Sequence, residues 1–264
     1  SYLQTIDIDL EEYNIMEPIG TQSNAFSGEY DGGGFQIKNW SFAGSENYGG
    51  LFGYTHEAVL KHIRLSGVCT LSGCTTQGFL AGYILDTTVN NVEGDFAEGT
   101  SIGGGSSTGG LFGIVQRSVV HGVTLRGSVN HETSTTGNRG GIAGGVYDGE
   151  VYTNWRNIAT FPNGISGSNV GGICGYISGG VITVSNWFNG MIGELNGTYV
   201  GGIVGYLRRG GSFESIVNSM TGNITGTVSV GGVLGYVYLD LGHACSATRW
   251  LSYMKGDIVA PTGA

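Results

Sequence analysis

A short glycine-framed apolar segment recurs along most of the chain. Its copies are GGLFGY from Gly49, GFLAGY from Gly78, GGLFGI from Gly109, GGIAGG from Gly140, GGICGY from Gly171, GGIVGY from Gly201 and GGVLGY from Gly231. Successive copies start 29, 31, 31, 31, 30 and 30 residues apart. Such a period marks an architecture in which each unit buries its apolar face only by stacking on the next. Alternate residues of a strand share a face, so Leu51, Gly53 and Thr55 are expected to point one way and Phe52 and Tyr54 the other. The second row runs through Phe52, Tyr54, Tyr83, Phe112, Tyr176, Tyr206 and Tyr236. It is as apolar as the first, so the rest of the coil, a partner chain or a ligand should cover it, and self-association or packing is its expected role. The central glycine of each copy, Gly53 through Gly235, lacks a Cβ and marks a close approach of backbone or a large side chain.

After each copy comes a turn and a second alternating apolar run, as in Val59, Ile63 and Leu65, in Val120, Val123 and Leu125, or over Val181 to Met191. A short third segment such as SVNHETSTTGN follows. Two or three strands per unit are therefore expected. No segment sustains an apolar pattern at helical period, and the density of glycine opposes helix by about 1 kcal/mol per occurrence. Residues 1–25 are acidic and lack glycine until Gly20, and they are expected to cap the first coil. The repeats occupy 26–240, and 241–264 is read as a closing cap or a truncated continuation.

Composition narrows the class. Glycine supplies 52 of 264 residues, yet only 3 are proline and 40% are hydrophobic, which excludes both a collagen-like chain and a disordered tract. Eleven basic residues against 20 acidic ones leave a net charge of −9, and Arg208–Arg209 is the one adjacent basic pair, so neither nucleic acid nor an anionic membrane is an expected partner. Glycine and polar residues interrupt every apolar run well short of the roughly 20 residues that cross a bilayer, and no targeting signal opens the chain at Ser1. The four cysteines lack zinc-site spacing; a Cys69–Cys74 bridge is open, and Cys174 reads as a small buried hydrophobe.

The glycine-aliphatic-any-glycine core of GGLFGY and GGIVGY follows FSGEYDGGGFQIKNWSF, which supplies Phe26, Gly28, Asp31, Gly32, Ile37 and Asn39. In this the chain resembles the GLUG-motif repeat family over roughly residues 18 to 240. The resemblance implies a right-handed parallel β-solenoid of about seven to eight coils, found in large extracellular, cell-surface or virion-associated proteins, often adhesins. It carries no catalytic residue set to transfer. Gly78–Phe79 departs from the glycine pair, and Ile114 and Gly145 stand in place of the tyrosine, which interrupts any continuous tyrosine ladder.

Carboxylate pairs, the machinery of polysaccharide hydrolysis, are the first candidate chemistry. Asp86, Glu93, Asp95 and Glu98 form the densest acidic cluster, which reads more readily as a solvated turn. Asp7, Asp9, Glu11 and Glu12 offer hard oxygen ligands for calcium but lack an EF-hand loop pattern. The five histidines are scattered, with His62 and His121 read as members of one stacked polar ladder. Trp155 and Trp187, at similar offsets in adjacent repeats, could stack on a glycan or simply pack. Asn39, Asn196 and Asn223 open glycosylation sequons at about the frequency chance allows. The expectation is a non-enzymatic structural or adhesive module at an extracellular, cell or virion surface, partnered by itself, a larger surface assembly or a host glycan. The alternatives are a tailspike-like glycosidase or lyase and a self-assembling filament or capsid subunit.

Overall fold

The computed structural model describes residues 1–13, 17–179 and 182–260. Residues 14–16 of the expected cap, Val181 at the start of one apolar run and 261–264 lie outside the described residues. Every described element is a β-strand, and the pairing is parallel throughout. One turn of the solenoid passes through a lead-in strand, bends at the glycine pair, follows the motif strand, turns a corner and runs along a long strand. Tyr48–Gly49, Phe52–His56 and Val59–Gly67 are one such set. In the early turns a short fourth strand such as Thr70–Ser72 closes the coil. Stacking about eight turns at the repeat period produces a lead-in sheet of 8 strands, a motif sheet of 7, a long-strand sheet of 11 and a short sheet of 4.

The expected alternation along the motif fails at its first step, for a local reason. The chain bends at residues 50 and 51, so Leu51 and Phe52 enter the core from the two sides of the bend, at 4% and 0% exposure. Ala81, Phe112, Ala143, Cys174 and Val204 repeat the position of Phe52 and are equally buried. Phe52 and Phe112 are thus core residues with no surface to offer a partner. The tyrosines beyond them form a ladder: Tyr54 stacks on Tyr83 with centroids 5.0 Å apart, and Tyr147, Tyr176, Tyr206 and Tyr236 continue it in the later coils. Tyr48 and Tyr199 of the lead-in sheet pack edgewise on this ladder. The apolar row is therefore covered largely by its own coil. Tyr54 is almost wholly buried, and Tyr83, Tyr176, Tyr206 and Tyr236 are half-buried.

The long strands fill the core from the other side. Trp155 and Trp187 are 0% and 1% exposed and stack on each other at 4.7 Å, and their indole N–H groups donate to the Val120 and Tyr152 carbonyls. They pack; they form no glycan platform, because the face they occupy is the inward one. Two residues further on, Asn157, Asn189 and Asn218 make a buried polar ladder. Each amide donates to the carbonyl of a motif glycine, Gly172, Gly202 and Gly232. The ladder also links sideways, Asn157 to Asn189 and Asn189 to Asn218. An ideal Cβ on Gly172 or Gly202 would lie about 2 Å from an Asn amide nitrogen, so the second motif glycine and the buried Asn require each other. Replacing Asn189 by Ala removes the donor to Gly202 and leaves a buried carbonyl unpaired. A loss of about 2 kcal/mol in urea unfolding is expected, and an unchanged midpoint would show that the ladder adds nothing.

The two ends of the chain join the same pattern. Tyr2–Leu3 pairs with Glu29–Asp31, Ile8–Asp9 pairs with Gln36–Lys38, and Ile19 and Phe26 bridge to the first motif strand. At the other end, Cys245–Ser252 adds a regular long strand and Ile258–Val259 a lead-in strand. Apolar side chains of this last turn are exposed, with Leu241, Leu251 and Tyr253 each more than half accessible. All four cysteines are free, so the Cys69–Cys74 bridge is absent. Their thiols sit at opposite ends of Thr70–Ser72, that of Cys69 against the Ser66 carbonyl and that of Cys74 against that of Gly44. Burial raises both, to about 12 and about 11, and Cys174 to about 12.

Candidate functional site

Seven long strands break their pleat at one shared position. His62, Asn91, Gly122, Asn154, Asn186, Ser215 and Arg249 all have φ between 53° and 67°. The left-handed region is open mainly to Gly and Asn, which explains four of the seven residues. Strand pairing resumes on either side, Lys61 with Asn90 and Ile63 with Val92. The bend hollows the outer face of the long-strand sheet into a groove of about 580 Å³ that spans the coils from Gly34 to Phe188.

One wall of the groove is a lateral row in strict register: Arg64, Glu93, Thr124, Arg156 and Phe188. The opposite wall carries Asn91, Asn154 and Asn186, and the Asn186 amide donates to Asn154 at 3.2 Å. Arg126 reaches in from the neighbouring row, its Nε 2.6 Å from Glu93 Oε1, while Arg64 Nε lies 3.5 Å from Oε2. The Arg156 guanidinium sits 4.9 Å over the Phe188 ring. Converging guanidinium, amide and aromatic groups on a sheet face can bind hydroxyls, carboxylates and the C–H faces of rings.

The candidate carboxylates are only partly brought together. Glu93 and Asp95 share the outer face of Thr88–Phe96, with Cα atoms about 6.6 Å apart. Asp86 and Glu98 fall beyond opposite ends of that nine-residue strand, so the four form no single cluster. Asp86 occupies a left-handed corner, where Arg117 grips it bidentately at 2.9 and 2.7 Å and His56 approaches to 3.3 Å. The Arg117 contact, then that of His56, holds its carboxyl below the usual range, which suits a fixed anion and not a proton donor. Both oxygens of Glu93 face arginines, and Asp95 is exposed beside Arg126.

The remaining candidates serve the framework. Asp7 accepts from the Gln36 backbone and Lys38, and Asp9 from Asn39 and the Glu11 backbone, contacts that hold both carboxyls below their ordinary range and pin the first strands. Among the described residues no group of three or more His, Cys, Asp or Glu side chains is placed to hold a metal ion. His62 and His121 belong to different rows: His62 takes the bend position and meets Asp31 at 3.0 Å, whereas His121, one residue before the bend, meets Thr153. The Asn39 amide is committed to Asp9 and its oxygen to the Val68 N–H, Asn223 accepts from the Asp257 N–H, and Asn196 is half-buried on Leu195–Gly201. Sequence reasoning missed Arg64, Arg126, Arg156, Phe188 and the three bend asparagines. The one signal in the chain was an Asn preceding a core residue in Asn91–Val92, Asn154–Trp155 and Asn186–Trp187.

No family profile and no curated protein sequence matches the chain. Among solved structures, a Bacteroides ovatus protein provisionally described as an immunoglobulin A1 protease is similar over 98% of this chain and 77% of its own, with a TM-score of 0.63 and 17% identity. At that identity the likeness speaks to the β-solenoid fold alone.

Proposed function

We propose that the chain is a non-enzymatic structural and adhesive module, a β-solenoid rod that holds a partner on the outer face of its long-strand sheet. The observation that carries this is the groove itself, where guanidinium, amide and aromatic groups converge and both oxygens of the one acidic lining residue, Glu93, are occupied by arginines. An extracellular, cell-surface or virion-surface setting is supported by the low charged fraction of 12% and by the resemblance to GLUG-motif repeats. Contact with further copies or a larger surface assembly is part of the same proposal.

A second reading, a polysaccharide hydrolase or lyase, draws on Glu93 and Asp95 sharing one face beside the groove. The test is a glycan array run with the soluble chain, with product analysis and light scattering on the same sample. Retention of a defined glycan class without cleavage is the expected result. Cleavage products would favour the enzyme, and retention of nothing together with growth into regular polymers would favour a filament subunit.

A further inference from the structure

Resting on the reading of the chain as a binding module, we propose that the long-strand groove takes an extended carboxylated polysaccharide of the hexuronate type, laid along the rod axis across the strands. Charge is the first argument. The chain carries −9, yet this groove gathers Arg64, Arg126 and Arg156 around the single carboxylate of Glu93. Guanidinium forks match carboxylates two bonds at a time, which a hydroxyl cannot do. Arg64 and Arg126 each approach Glu93 through Nε, at 3.5 and 2.6 Å, so one carboxylate already sits between two guanidinium groups in the groove. Arg156 lies over Phe188 instead and, among the described residues, has no acidic partner within 4 Å.

Geometry supplies the second argument. Arg64 and Arg156 stand three strands apart in one row, about 14 Å at the spacing of neighbouring strands, with Arg126 between them. A ligand engaging all three must be a chain with repeated carboxylates, not a single sugar. Phe188, half-buried beneath Arg156, ends that row, and Asn91, Asn154 and Asn186 supply amides that suit the hydroxyls of pyranose rings. An extended acidic peptide is the poorer fit. Peptides add to sheet edges through free backbone N–H and C=O groups, and the strands here are paired on both sides. Nucleic acid is the poorer fit as well, because single strands are held by bases stacked on successive aromatic platforms and Phe188 is the one phenyl ring among the groove's lining residues.

The experiment is calorimetric titration of the intact chain with hexagalacturonate and a hyaluronan fragment, with cellohexaose as the neutral probe and a dextran sulfate fragment, which has no carboxylate, as the sulfated one. Arg156→Ala, Arg126→Ala and Glu93→Gln are compared with the parent, and thermal melts establish that each is folded. At least one uronate probe should bind, more weakly as salt rises. Arg156→Ala should weaken it about tenfold, the scale of a lost charge-assisted hydrogen bond. Glu93→Gln should tighten it several-fold by releasing two arginines, an effect no structural role of Glu93 yields. Binding of cellohexaose in preference to the uronates, equal binding of dextran sulfate, or indifference to Arg156→Ala would overturn the assignment and leave the binding module standing. Failure of every glycan would remove both, and turnover lost in Glu93→Gln would replace both with the enzyme.

Discussion

Gly175→Ala should cost about 3 kcal/mol or more, although it adds one methyl group. An ideal Cβ there would lie 2.4 Å from the Arg139 nitrogen and 2.8 Å from the carbonyl oxygens of Arg139 and Asn169. These are backbone atoms of lead-in strands from two successive coils, so no side chain can rotate away to make room. Gly144 and Gly205 face equivalent contacts, at 2.4 Å from Thr108 N and Val170 N. Two sheets thus touch backbone to backbone along the rod, and the central motif glycine is what allows it. Urea unfolding of the single variant tests this. A midpoint equal to that of the parent would mean that the sheets have slack the structure does not show.

Acid should destabilise the protein in a window set by His131. The imidazole is 1% exposed, its two nitrogens have no hydrogen-bond partner among the described residues, and the Phe161 ring lies edge-on 5.5 Å away. Burial, and secondarily the Arg139 cation, push its pKa down to about 3 from 6.5. Arg139 is itself buried; its Nη1 and Nη2 donate to the Glu132 and Gly105 carbonyls, while its Nε has no partner among the described residues. A depressed folded pKa means that the unfolded chain takes up the proton first. The contribution is therefore complete above 6.5 and is lost as pH falls toward about 3, at about 1.4 kcal/mol per unit. The carboxylates with lowered pKa, Asp7, Asp9, Asp31 and Asp86, lose their contribution only below the ordinary 3.8, so the upper part of the window isolates the histidine. Melting midpoints between pH 6.5 and 4 should fall for the parent and stay nearly level for His131→Leu. Parallel slopes for the two proteins would remove His131 as the cause.

The architecture was legible because it is written in glycine and spacing. The period located the seven turns that carry the motif, though not the pairing of residues 1–43 ahead of them, and the central motif glycine announced the close approach that the Gly175 contacts display. Face assignment was harder. A bend at residues 50 and 51 put Phe52 inside, and strict alternation cannot register a corner. The tryptophans were placed correctly as neighbours, yet neighbourhood on a strand does not say which face is inward; that depends on the left-handed residue just before each, Asn154 and Asn186. The candidate site was the least legible part. Arg64, Arg126 and Arg156 lie scattered through 93 residues of sequence and meet only because successive turns bring them into adjacent strands.

The sealed thiols turn the rod into its own reporter of local opening. A thiolate, not a thiol, reacts with an alkylating reagent, and burial suppresses thiolate at Cys69, Cys74 and Cys174. Cys174 lies in a central turn with neighbours stacked on both sides, whereas Cys245 is half-buried in the last described one. In a quasi-one-dimensional molecule, unfolding that peels from the ends exposes these positions in sequence, and unfolding in one step exposes them together. Labelling kinetics at the native cysteines thus distinguish fraying from global cooperativity without any engineered probe.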